Sequence, residues 1–474
     1  MAIVGAFMVP HPPLIVHEIG RGEGNKIAAS VASYEIVAKK IAELAPETIV
    51  ITSPHATLYA DYFHISPGAE ASGSFSRFDA PNVRFRVTYD EQLVASICEE
   101  AAEFGIAAGT KGERDKSLDH GTMVPLYFIN NYCADYKVVR IGLSGQSYKN
   151  HYMLGKCIKR AAEKTKKRVV FVASGDLSHV LKADGPYGFR EEGPQYDERI
   201  MKVMGDADFG KLFSFSLDFC ENAAECGHRS FVIMAGALDC TAVRAQKLSH
   251  ESTFGVGYGF CMYDVLAYDE RRNFLTQYEA FERSELDARK NNEDEYVRLA
   301  RATIETYVKT GKTLCVRNGK VVCDDAPFNG WKLSCELLNN RAGAFVSLKK
   351  DGMLRGCIGT IATTCSSLAE EIIANAVSAA TRDPRFPAVT ERELPFLVYS
   401  VDVLGGAEKI ASKDELDVKR FGVIVTKGTR RGLLLPNLES VNTVEEQIDI
   451  ACRKAGINAA ENPDLERFEV VRHY

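Results

Sequence analysis

Short apolar runs alternate with helically spaced apolar positions over the first half of the chain, the pattern of an α/β fold. Residues 3–9, 48–53 and 168–173 read as buried strands. Between the first two, Ile27, Val31, Tyr34, Ala38, Ile41 and Leu44 fall three and four apart, and Pro46 stops that helix. A strand–helix–strand unit favours a parallel pair joined by a right-handed crossover. Residues 137–143 add a strand and 150–164 a helix, and 82–88 alternate as an added or edge strand. An apolar helix over 230–238 and a late strand over 256–268, rich in glycine and aromatics, complete this region.

The pattern breaks after Tyr268. Residues 269–295 are charged and short of aliphatics, as in a solvated helix or linker. An amphipathic helix carrying Val297, Leu299, Ala300, Ile304 and Val308 then opens a second region. Strands follow over 343–348, 396–403 and 421–426, with a helix over 368–380. Three segments are therefore expected: a domain over 1–270, a charged linker or helix over 271–295, and a smaller α/β domain over 296–474.

Composition narrows the function classes. A chain of 474 residues exceeds one ordinary core. The net charge of −6 argues against nucleic acid as the main partner. No apolar run is long enough to span a bilayer. The N-terminal residues lack a basic region and a small-residue cleavage site, so no signal peptide is read. The 13 cysteines are scattered without a CxxC pair, which fits reduced thiols and a cytoplasmic protein.

The candidate chemistry sits where strands end. Val9-Pro10-His11, Ser53-Pro54-His55 and Ser174-Gly175-Asp176-Leu177-Ser178-His179 each deliver a histidine just past an apolar run. Open α/β sheets collect ligands outside the carboxyl ends of their strands. Proline fixes its own φ and extends the residue before it, so each Pro-His holds its ring at a defined exit. Two histidines and an acidic or thiolate ligand would hold a metal, and Glu225 and Cys226, just before the apolar helix, are the candidates for the third position. Asp176 either orients the His179 ring or caps the following turn.

Together with Asp119-His120-Gly121 and Val124-Pro125-Leu126, these motifs resemble the class III extradiol dioxygenase fold, which includes LigB-type ring-cleaving enzymes and Memo proteins. The resemblance implies an α/β domain with a central mixed sheet over the first 270 residues. It implies Fe(II) on His11 and His55, with a glutamate completing the triad. The matching position is at or next to Cys226, and Memo-like members carry a cysteine there. The resemblance makes His179 the base or acid, and His120 a residue that supports the ligands or binds substrate. Imidazole also suits Zn and Cu, so those ions stay open beside iron.

Further along, Leu354-Arg355-Gly356-Cys357-Ile358-Gly359-Thr360 follows an expected hairpin turn over 349–352. One reading is an exposed thiol activated by Arg355, with Arg385 of Asp383-Pro384-Arg385-Phe386-Pro387 binding an anion. The favoured reading is a tight structural turn with a buried Cys357. These strings resemble the AMMECR family from residue 296 onward, also an α/β fold. Domains of the two families occur together with a radical-SAM protein in the AmmeMemoRadiSam grouping, and this chain is similar to the fused form. The resemblance thus implies two partners, a small catechol-like aromatic and a radical-SAM protein; a homo-oligomer is expected besides. The alternative it leaves open is a Memo-like metal or redox protein without ring cleavage.

Overall fold

The computed structural model describes residues 2–324, 327–350, 352–438, 441–458 and 461–474. The chain divides into two compact units, Met1–Ala280 and Phe281–Tyr474.

The first unit is built on a six-stranded sheet. Its order is Lys137–Gly142, Thr48–Ser53, Val169–Ser174, Ile3–Val9, Tyr258–Tyr268 and Thr241–Glu251. The first four strands are parallel, and the last two add antiparallel. Successive residues of the central strands serve opposite cores. Ala6, Met8, Val50, Phe171 and Ala173 face one side, with helices Glu91–Glu103, Tyr148–Thr165 and His228–Ala237. Phe7, Val9, Ile49, Ile51, Val170 and Val172 face the other, with helices Ala28–Leu44 and His120–Ile129. Burial on both faces explains why these strands are continuous apolar runs.

Three features differ from the sequence pattern. Ile3–Val9 and Thr48–Ser53 are parallel but not paired, because Val169–Ser174 lies between them. That strand is apolar on both faces and fully buried, so it fits the centre of the sheet. The alternating segment near residue 82 is not at the edge of this sheet. Ala80–Thr88 pairs with Glu70–Phe75 in a separate ribbon, packing Phe75, Phe85 and Val87 inward. The outer strand Thr241–Glu251 was not foreseen. Arg244, Lys247 and His250 interrupt its apolar positions, as suits an edge strand.

Helix Phe274–Asn292 occupies the charged stretch and buries only Leu275 among its residues. The second unit carries a seven-stranded antiparallel sheet. Its path runs Met353–Gly359, Ala344–Lys350, Leu397–Leu404, Asp464–His473, Phe421–Lys427 and Arg430–Leu434, with Glu408–Lys409 alongside Asp464–His473. Helices Glu295–Thr310 and Leu368–Thr381 cover one core of this sheet. The expected hairpin joins its first two strands, and Asp351 in that turn lies outside the described residues. No helix among the described residues is long and apolar enough to cross a membrane.

Candidate metal centre

The three histidine-bearing strand ends are adjacent, because Thr48–Ser53, Val169–Ser174 and Ile3–Val9 are neighbours in the sheet. His11 leaves the first strand after Pro10, whose carbonyl accepts the buried Tyr34 hydroxyl. Its imidazole is buried, and its backbone N–H donates to Asp176 Oδ1 at 2.7 Å. His55 is exposed, with its Nε2 3.0 Å from His11 Nε2.

Cys226 arrives from the turn before helix His228–Ala237. Its Sγ lies 3.7 Å from His11 Nε2 and accepts the Asp176 N–H at 3.2 Å. Glycine makes this approach possible. A Cβ at residue 175 would sit 2.1 Å from the Gly227 Cα, so the two loops touch backbone to backbone. Glu225, one residue earlier, turns the other way. Its Oε2 accepts the His228 N–H at 2.5 Å, at the start of the helix. Metal-ligating atoms of His11, His55 and Cys226 all lie within 4.8 Å of one another, and Glu225 is not in this group. Of the two candidates for the third position, the thiol is the one facing the histidines.

The donor set fits a cation. Metal bonds of about 2.0–2.1 Å to nitrogen and about 2.3 Å to sulfur put ligand atoms roughly 3–4 Å apart. Hydrogen counting fixes the His11 tautomer. Ser174 Oγ spends its one proton on the Gly121 carbonyl at 2.6 Å. It can only accept from His11 Nδ1, 2.9 Å away, so Nδ1 carries the proton and Nε2 presents a lone pair. Two imidazole nitrogens then converge on one point that needs a proton or a metal ion.

Burial shifts the surrounding groups toward their neutral forms. Burial, then the neighbouring imidazoles of His55, His120 and His179, hold His11 well below the usual histidine range. Partial desolvation of the ring lowers His55 as well, although the residue is exposed, and burial brings His120 down to about 4. His120 begins helix His120–Ile129, its ring 3.9 Å from that of His55 and 5.4 Å from that of Phe78. His179 is also lowered by burial. Its Nδ1 donates to the Ala224 carbonyl at 2.6 Å, which leaves Nε2 bare. Burial pushes the Cys226 thiol well up, helped by Asp176 and Glu225. The same cause brings the Asp176 and Glu225 carboxyls to about 7.

Asp176 therefore serves a different partner from either expected one. Its carboxyl holds the His11 backbone, while His179 is oriented by the Ala224 carbonyl. The sequence reading also passed over Ser53, Ser174 and Asp119. Their signal was position: each serine closes an apolar strand, and Asp119 precedes the His120 helix.

A family model described as the catalytic LigB subunit of aromatic ring-opening dioxygenase matches residues 5–261. The chain belongs to the LigB family. An AMMECR1 family model matches residues 297–473, so the LigB domain is followed by an AMMECR1 domain. A protein of Clostridium acetobutylicum is 41% identical over 480 residues, covering 100% of this chain and 99% of its own length. A Thermotoga maritima protein is 49% identical over 183 residues, covering 38% of this chain and 98% of its own. A crystal structure of a Pyrococcus horikoshii protein aligns at 35% identity with a TM-score of 0.32, covering 37% of this chain and 88% of that one.

In the AMMECR1 domain neither the activated thiol nor the favoured tight turn is found at Cys357. Cys357 lies within strand Met353–Gly359, half-buried and not in a turn. Burial raises its thiol, and Ser347 Oγ donates to its Sγ at 3.1 Å. Arg355 does not activate it, because its guanidinium grips Glu393 at 2.8 and 3.2 Å. Arg385 is likewise engaged, donating to Asp383 at 2.9 and 2.7 Å. Gly356 is required by packing: a Cβ there would meet the Ala379 carbonyl at 2.4 Å.

Proposed function

We propose that the LigB domain binds a first-row divalent metal, Fe(II), through His11, His55 and Cys226, and carries out extradiol-type oxygenation of a catechol-like aromatic. The observation that carries this is the convergence of His11 Nε2, His55 Nε2 and Cys226 Sγ at 3.0 and 3.7 Å. A bound Fe(II) would supply a Lewis acid and the electrons that O2 activation needs. The chain supplies the proton handling. His179 offers a bare Nε2 to a substrate hydroxyl, with Nδ1 anchored on Ala224, so the ring can take a proton and return it. His120, neutral and with its ring tilted against that of His55, borders the space where a substrate ring would sit.

One observation favours a second reading, a Memo-like metal or redox protein that acts with a radical-SAM partner and cleaves no ring. The third donor is a thiol, and thiolate suits Cu(I) and Zn as well as iron. Anaerobic reconstitution with Fe(II), metal analysis and a catechol panel under O2 separate the two. The first reading expects one iron per chain and ring-opened product. Iron binding without turnover, in both the native protein and Cys226→Glu, overturns it. The second reading then expects recovery of a radical-SAM protein on pull-down from the source cell.

A further inference from the structure

Two serines occupy matching places. Ser53 is the last residue of Thr48–Ser53, and Ser174 the last of Val169–Ser174, the strand beside it. Both are fully buried. Each sends its hydroxyl proton to the same turn of helix His120–Ile129. Ser53 Oγ donates to Asp119 Oδ1 at 2.5 Å, and Ser174 Oγ donates to the Gly121 carbonyl at 2.6 Å. Each then has lone pairs left for a histidine of the metal centre. Ser53 Oγ accepts the His55 backbone N–H at 3.2 Å, and Ser174 Oγ faces His11 Nδ1 at 2.9 Å.

The turn receiving both protons is itself fixed. Asp119 caps it by accepting from the Thr122 N–H at 3.0 Å and the Thr122 hydroxyl at 2.9 Å. The buried Arg140 guanidinium lies 3.7 Å from the other Asp119 oxygen. The turn is also seated tightly: a Cβ at residue 121 would lie 2.4 Å from Ser53 Oγ and 3.4 Å from His55 Cδ2. A hydroxyl has one proton and two lone pairs, so each serine's donor direction is committed before a histidine meets it.

We propose that Ser53 and Ser174 are positioning residues that preset the two histidine ligands from the Asp119–Gly121 turn. Ser174 sets the His11 tautomer, and Ser53 sets the His55 backbone. This inference rests on His11 and His55 being metal ligands, but its first readout does not. Ser174 acts on the imidazole itself and Ser53 only on the backbone, so removal of Ser174 has the larger effect.

The first experiment is nitrogen NMR of histidine-labelled, metal-free full chain. The His11 ring is expected with its proton on Nδ1. In Ser174→Ala, that Nδ1–H loses its acceptor and the single-tautomer signature is expected to go. A His11 ring protonated on Nε2 in the native protein overturns the proposal. The second experiment measures Co(II) affinity by chelator competition. Ser174→Ala is expected to weaken binding by about 10–100-fold, the usual consequence of removing a ligand's hydrogen-bond partner. Ser53→Ala is expected to weaken it less, and Ser174→Thr, which keeps the oxygen, to restore most of the affinity. Circular dichroism confirms folding of each variant. Native affinity in folded Ser174→Ala overturns the proposal. Absence of Co(II) binding in the native protein would instead count against the ligand assignment, and leaves the tautomer measurement decisive.

Discussion

Cys226 and Cys357 are both beside glycine, both sit where backbone packs against backbone, and both have thiols raised by burial. Their surroundings differ in one respect. Around Cys226, two imidazole nitrogens point at a space they share with the thiol. Around Cys357, the two arginines of its signature motifs already have partners, Arg355 on Glu393 and Arg385 on Asp383. Arg385 holds Asp383 well below the usual carboxylate range, and Arg355 brings Glu393 to about 2, as expected of closed ion pairs. A site is marked by ligand atoms that converge, and a reactive residue type in a signature motif does not make one.

The largest effect that could break this contrast is on metal content. His11→Ala and His55→Ala should each lose nearly all bound metal, more than about 100-fold in affinity, because a direct ligand matters more than its hydrogen-bond partner. Cys357→Ala should keep native metal content. Equal losses in all three, measured by metal analysis after dialysis, would erase the distinction. The next effect is pH dependence. Cys226 is protonated before binding, whereas the lowered His11 and His55 have no proton to lose near neutral pH. Binding should therefore release one proton, so affinity rises about tenfold per pH unit between about pH 6 and 8. In Cys226→Ala that slope should flatten. A native slope of zero in competition titrations would mean the thiol does not ligate.

The histidines were legible because Pro-His after an apolar run carries both position and chemistry in adjacent letters. The four parallel strands were legible for a similar reason, since burial on both faces writes itself as continuous apolar runs, whereas helices Glu91–Glu103 and His120–Ile129 beside them were not read. Strand order was not, because nothing local records that Val169–Ser174 inserts between two earlier strands. Nor was the choice between Glu225 and Cys226. Neighbouring residues in one turn point opposite ways, and the Gly175–Gly227 contact, made across 52 positions of chain, decides which one faces the histidines. Asp176 was misread in the same manner: its partner is a backbone N–H 165 residues away, not the histidine three residues on.

That misreading leads to the smallest of the expected effects. Asp176 stands between the His11 backbone and the Cys226 thiol, and burial raises its carboxyl from 3.8 to about 7. Below its ordinary value the group is protonated in folded and unfolded chains alike, and it costs the fold nothing. As pH rises from there, only the unfolded chain ionises it, so the folded state loses ground until the folded value is passed. Asn at this position cannot ionise, and its side-chain oxygen can still accept the His11 N–H. Asp176→Asn should therefore match the native protein at acid pH and grow more stable than it by about 1.4 kcal/mol per pH unit through that interval. Urea unfolding of the metal-free protein at several pH values reads this directly. A gap that stays constant with pH would mean that Asp176 is ionised in the fold, and that the His11 backbone is held by a charge-assisted bond.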